Sequence, residues 1–144
     1  MKKPALLLIM LFCTASICFS AGNIASENQV IMESDWIPTE AQTEAALIHT
    51  LNFLTNIKAN TENQYLIDSA EEILNEITEY RVQFKGILKQ GRTIIYCNFF
   101  HISDRDLDWQ EVFVTGLDGG YLYWQIEYDL ESEQCINFSV NGGA

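Results

Sequence analysis

Residues 80–100, YRVQFKGILKQGRTIIYCNFF, decide the fold. Tyr80, Val82, Phe84, Gly86 and Leu88 alternate with Arg81, Gln83, Lys85 and Lys89, the two-residue period of a half-buried strand. Gln90-Gly91 supplies a turn and residues 93–100 return, so the stretch predicts a β-hairpin. Further strands are predicted over about 111–117, 121–128 and 135–140. Asp118-Gly119-Gly120 separates the first two of these with glycines able to take positive φ. Leu122, Trp124, Ile126 and Tyr128 share one face, and Ile136, Phe138 and Val140 share another.

Upstream of the hairpin the period lengthens. Pro38 pushes Ile37 towards an extended conformation, and Thr39 with Gln42 forms a capping box that opens a helix over 39–58. Ala41, Ala45, Ile48, Leu51 and Leu54, with Leu47 beside them, make its apolar stripe. A second helix is predicted over 68–79, capped by Ser69 and Glu72. Ile67, Ala70, Ile73, Leu74 and Ile77 form its buried side, and Glu71, Glu72, Glu76 and Glu79 its solvated acidic one. Helices followed by hairpin-linked strands predict an α+β fold: one or two N-terminal helices packed on an antiparallel sheet of four to five strands, cystatin-like. An all-β barrel with helical decoration is the alternative.

The N-terminus predicts export. Lys2 and Lys3 precede the apolar run 5–12, and small residues gather around Ser20 and Ala21, the layout of a signal peptide over 1–20. A polar segment over 21–35 follows, in which residues 29–32 offer a short edge strand, and 36–144 forms a single domain. The expected compartment is periplasmic or extracellular, with no stable membrane insertion once the leader is removed. Removing Lys2 and Lys3 leaves 6 basic residues against 20 acidic ones, a net charge of −14. Such a field repels phosphate backbones and argues against nucleic acid, while favouring basic protein partners or cations.

Two cysteines remain after the leader, Cys97 and Cys135. In an oxidising compartment they predict a disulfide. Its geometry hangs on the hairpin. A two-residue loop pairs Phe84 with Cys97 and turns Cys97 into the core, whereas a three-residue loop with a bulge turns it outward. Pairing Trp124 with Phe138 and Ile126 with Ile136 would place Cys135 outward beside Glu127, so a bridge favours the bulged loop, while apolar pairing of Val82 with Phe99 favours the short one.

Chemistry-bearing residues are sparse. Asp104, Asp106, Asp108 and Glu111 suggest a calcium loop, but Trp109 and Thr115 stand where an EF-hand needs glycine and glutamate. No metal or cofactor is expected. His49 and His101 are the only histidines, and neither shows a ligand or catalytic partner at motif spacing. Aromatic residues are plentiful in the sheet region. Tyr96, Phe99, Phe100, Trp109, Tyr121 and Tyr123 are the candidate binding residues, an exposed patch suited to protein or glycan. A second small core with Trp36 as its plug is the competing explanation of the same aromatics.

The succession Trp36-Ile-Pro-Thr, Tyr80-x-x-Gln83-Phe84-x-Gly86, Asn98-Phe-Phe, Trp109, Asp118-Gly-Gly, Tyr128-Asp129 and Asn141-Gly-x-Ala resembles a group of small exported bacterial proteins of uncharacterised function. The resemblance implies a single α+β domain and a bacterial source, and it carries no activity. The expected function is a non-catalytic binding or inhibitory module acting on a protein or glycan of the cell envelope. A small hydrolase using His101 and loop carboxylates is the alternative.

Overall fold

The computed structural model describes residues 24–103, 108–116 and 118–142. In chain order it lays down β1 (Gln29–Ile31), α1 (Glu40–Thr55), α2 (Gln64–Asn75), β2 (Tyr80–Lys89), β3 (Arg92–His101), β4 (Tyr123–Asp129) and β5 (Gln134–Val140). The strands form one sheet in the order β1-β2-β3-β4-β5. The fold is α+β, with both helices preceding the hairpin-linked strands. The sheet is open at β1 and β5 among the described residues, so the barrel alternative does not hold. The predicted edge strand is present, but β1 runs parallel to β2, because two helices intervene and carry the chain back to the same end.

The hairpin closes through the short loop. Lys89 pairs with Arg92, and Gln90 (φ 52°) and Gly91 (φ 77°) both take left-handed backbone, the requirement of a two-residue type I′ turn. Phe84 therefore pairs with Cys97 and Val82 with Phe99, and Cys97 points into the core.

Thr39 caps α1 with the reciprocal Gln42 bond in place. The buried face is Thr43, Ala46, Leu47, Thr50, Leu51 and Leu54, rotated from the predicted stripe: Ala41 is exposed, and Ala45 and Ile48 are half-buried. Two buried threonines carry this rotation. The Thr43 hydroxyl bonds the Glu40 carbonyl at 2.9 Å, which allows a polar side chain on the inward face. The second helix starts earlier than predicted. Asn63, not Ser69, is its cap, accepting from the N–H groups of Tyr65 and Leu66. Ser69 lies mid-helix and buried, and residues 77–79 form a 3₁₀ turn.

Both helices pack on one face of the sheet, over Val82, Phe84, Ile95, Cys97, Phe99, Trp124, Ile126 and Tyr128. Phe99 and Trp124, paired across β3 and β4, stack with centroids 3.7 Å apart and planes 3° from parallel. Trp36 joins this core rather than a second one. It bridges to Gly86, where any Cβ would overlap the Trp36 carbonyl and indole, so glycine is required there by close approach.

The final hairpin carries a bulge. Trp124 pairs with Val140 and Tyr128 with Cys135, with a register shift between Gln125 and Glu127. The extra residue falls around Asn137, which takes φ 54°, a conformation asparagine tolerates better than most residues. This overturns the expected pairing of Trp124 with Phe138 and Ile126 with Ile136, and it moves Cys135 to the helix face. There its Sγ lies 3.9 Å from the Thr50 hydroxyl. The expected Cys97–Cys135 disulfide is absent and both thiols are free. The reason is the sheet order: β4 stands between the two cysteines, and two strand spacings come to about 10 Å, beyond the ~7 Å a disulfide spans between Cα atoms.

Candidate functional site

The sheet's other face bears directly on the expected aromatic patch. Gln83, Asn98, Gln125 and Ser139 are register partners across β2 to β5, and their side chains form a hydrogen-bonded row. Asn98 Nδ2 donates to Gln83 Oε1 at 3.1 Å, Gln125 Nε2 to Asn98 Oδ1 at 3.5 Å, and Ser139 Oγ to Gln125 Oε1 at 3.2 Å. Residues 108–116 lie over this row without forming a strand, which corrects the strand predicted over 111–117; Leu117 lies outside the described residues. Gln83 holds the segment down. Its Nε2 donates to the carbonyls of Trp109 (2.6 Å) and Val112 (2.7 Å), and its Oε1 accepts from the Val114 N–H (2.9 Å). Asn98 Nδ2 donates to the Val114 carbonyl at 2.9 Å. The segment spends the Trp109, Val112 and Val114 carbonyls and the Val114 N–H on these amides, and the Glu111 and Val112 N–H groups on the Asp108 carbonyl, instead of on a neighbouring strand. Arg81 over Trp109 (5.1 Å) and Lys85 over Phe113 (3.9 Å) add cation–π contacts.

That cover accounts for most of the aromatic candidates. Phe100 and Trp109 are buried against each other with Val114, and Tyr123 packs on them. Phe99 is in the main core, and Tyr121 packs at its margin. Tyr96 is half-buried beside Phe113, and its hydroxyl is harder to ionise than usual through burial first and then the nearby Glu127. Five of the six residues thus divide between two cores, Tyr96 sits beside Phe113, and together they form no common open patch. Gly119 (φ 112°) and Gly120 (φ 57°) do take positive φ as expected, but they lead into a 3₁₀ turn ahead of β4 rather than joining two strands.

The open concavity lies elsewhere. A cavity of about 760 Å³ lies between β1 and the first two turns of α1. Ile24, Val30, Ile31, Leu47 and Phe84 give it apolar walls, and Glu40, Thr43 and Glu44 stand on the helix side. Among the described residues no lysine, arginine or histidine lines it. The Met32 N–H donates to the Phe84 carbonyl at 2.8 Å, so by alternation the peptide groups of Gln29 and Ile31 turn away from β2. The Gln29 N–H is taken by the Ser26 carbonyl, which leaves the Gln29 carbonyl and the Ile31 N–H and carbonyl on the outward edge. The capping box is the one sequence signal that pointed here, since it fixes Glu40 and Glu44 on the first turns of α1.

A second, polar cavity of about 500 Å³ lies at the end of β2 and β3, lined by Asn28, Glu79, Arg81, His101, Ile102 and Ser103. His101 is paired on both ring nitrogens. Nδ1 lies 2.8 Å from Ser103 Oγ and accepts from the Ser103 N–H at 3.2 Å, and Nε2 lies 3.4 Å from a Glu76 carboxylate oxygen. The Tyr80 ring meets the imidazole edge-on at 5.5 Å. Burial, and after it Glu76, pushes the Tyr80 phenol well above its usual range, so it stays a neutral donor, bonding the Tyr121 carbonyl at 2.8 Å. Sequence spacing could not reveal Glu76 as a partner of His101, because the two meet through the packing of the turn after α2 against the end of β3. His49 stacks on Tyr128 at 5.0 Å and belongs to the core margin.

Among the described residues no group of three or more histidine, cysteine or acidic side chains could hold a metal. Residues 104–107 of the acidic loop lie outside the described residues, as does the leader. No described helix is long and apolar enough to cross a membrane. Comparison with family models, curated proteins and solved structures returns no match.

Proposed function

We propose that this protein is an exported, acidic binding module whose ligand is an extended segment of a basic protein partner. The observation that carries this reading is the groove between β1 and α1: apolar walls, two carboxylates, no basic residue among the described residues, and a strand edge with outward-facing peptide groups. An added strand can bond to the Ile31 N–H and carbonyl and to the Gln29 carbonyl while its alternate side chains enter the apolar cavity. Lysine or arginine side chains on such a strand meet Glu40 and Glu44. The net charge of −12 for the whole chain steers a basic partner towards the surface. Export rests on the leader read from residues 1–20, and the resemblance to small exported bacterial proteins is in keeping with it.

The test is calorimetric titration with the synthetic peptide Lys-Ile-Lys-Val-Lys-Ile and its backbone N-methylated counterpart. Saturable binding is expected for the first, weakened about tenfold or more by the E40Q/E44Q double substitution and by raised salt. The N-methylated peptide, unable to pair as a strand, is expected not to bind. No saturation by basic peptides up to about 1 mM, or saturation by neutral oligosaccharides in their place, removes the proposal.

A further inference from the structure

We infer that Ser103, His101 and Glu76 form a hydrolytic site for small carboxylic esters, separate from the groove at β1. The argument begins with the tautomer. Nδ1 of His101 accepts the Ser103 backbone N–H, so in the neutral ring the proton is on Nε2, facing Glu76. The Ser103 hydroxyl, 2.8 Å from Nδ1, must then be the donor in that contact. This is the resting arrangement of an activated serine: hydroxyl proton directed at an imidazole lone pair, with a carboxylate 3.4 Å from the ring's other nitrogen, placed to pair with the ring once it is protonated. The nitrogens are used in the reverse order from the familiar serine triads, and the logic of the roles is unchanged.

The surroundings suit the chemistry. Ser103 is exposed while His101 is mostly enclosed, so the nucleophile meets solvent and the base does not. The cavity beside them also holds Arg81, which makes no ion pair among the described residues and whose buried Nε has no hydrogen-bond partner there. Its guanidinium is held against Trp109 on the sheet face opposite the His101 ring, so it adds positive charge at the cavity's edge without reaching the reacting carbonyl. The cavity volume of about 500 Å³ admits small esters, and the acidic chain favours neutral or cationic ones.

In the reaction Ser103 Oγ bonds to the ester carbonyl carbon while its proton passes to Nδ1. Glu76 stabilises the imidazolium through Nε2–H. The C–O bond to the alcohol breaks and the alcohol leaves with the proton from Nδ1. Water then attacks the acyl-serine with Nδ1 as base, releasing a carboxylic acid and restoring the serine. Ser103 and His101 are the catalytic residues, and Glu76 is a positioning residue.

The experiment is active-site labelling of the full protein with a fluorophosphonate, read by intact mass and peptide mapping, together with initial rates on 4-nitrophenyl acetate. Labelling is expected at Ser103 and is lost in S103A and H101Q. E76Q is expected to lower kcat on the order of a hundredfold with KM unchanged, a split that a loosened fold would not give. S103A is a one-atom change at an exposed side chain, so its melting temperature serves as the folding control. Absence of labelling in the wild-type protein, or labelling that persists in S103A, overturns the inference. Peptide binding at the β1 groove is measured separately and does not bear on this outcome.

Discussion

The two faces of the sheet are built on opposite principles. The helix face is apolar: Phe99 stacked on Trp124, ringed by Tyr80, Phe138 and the leucines of α1. It is held by burial and close packing, which are non-directional and scale with area. The other face is a row of amides and a hydroxyl under an irregular segment, and it is held by directed bonds. All four hydrogen-bonding positions of the buried Gln83 side chain are filled. Apolar packing tolerates a slightly wrong neighbour, whereas an amide row fails at any member whose partner is withdrawn. The contrast explains how a segment with no strand or helix of its own can be fixed over a sheet.

The largest expected effect tests the apolar side. Trp124→Ala removes the fully buried centre of the helix-face core and is expected to cost about 3–5 kcal/mol in denaturant unfolding. Next comes Gln83→Met, which keeps the volume and withdraws both donors and the acceptor. It leaves the Trp109 and Val112 carbonyls and the Val114 N–H unpaired, at about 2–3 kcal/mol if they stay dry. The segment can lift into water and limit that cost, so limited proteolysis is expected to cut within residues 108–116 while the rest of the domain persists. A Gln83→Met loss equal to that of Trp124→Ala, with no new cleavage, would erase the distinction between the faces.

The same contrast governs what could be read from the chain. The apolar face was legible because alternation from Tyr80 to Leu88 is a strand signal, while the loop length stayed open: Val82 facing Phe99 favoured the short loop and a Cys97–Cys135 bridge the bulged one. The capping box at Thr39 was legible for the same local reason. The amide face was not: Gln83, Asn98 and Gln125 have the composition of a wet surface, and only tertiary contact shows that Gln83 and Asn98 are buried. Residues 111–116 carry valines at strand spacing, yet the Val112 and Val114 carbonyls and the Val114 N–H bond to Gln83 and Asn98 side chains and the Glu111 and Val112 N–H groups turn back to Asp108, so a periodic pattern without a partner strand misleads. The bulge at Asn137 shifts the last pairing by one residue and exchanges the faces, which no alternation count detects. Of the candidate sites, His101 was visible as a residue and Glu76 was not visible as its partner. The groove at β1 depends on a parallel edge strand of three residues, too short to leave a period.

The cysteines give the smallest effect and the sharpest check on this geometry, since both belong to the apolar face. Burial raises the Cys97 thiol well above its ordinary range, with Cys135 adding to the shift. Burial likewise pushes Cys135 up to about 11, against a lowering contact from the Thr50 hydroxyl. A thiol harder to ionise folded than unfolded contributes stability in full below the unfolded pKa near 9.0. That contribution is lost as pH rises through the folded value. The loss from Cys135 alone is expected to reach about 1 kcal/mol by pH 10, and Cys135→Ala is expected to flatten part of the alkaline decline. Two thiols bonded to each other could not titrate at all. Reductant is therefore expected to leave the melting temperature at pH 7 unchanged, and intact mass after alkylation under denaturing conditions is expected to show both Cys97 and Cys135 modified. A protein that resists alkylation until reduced would place the two residues within bonding distance, and would require β5 to pair differently from the register its bulge sets.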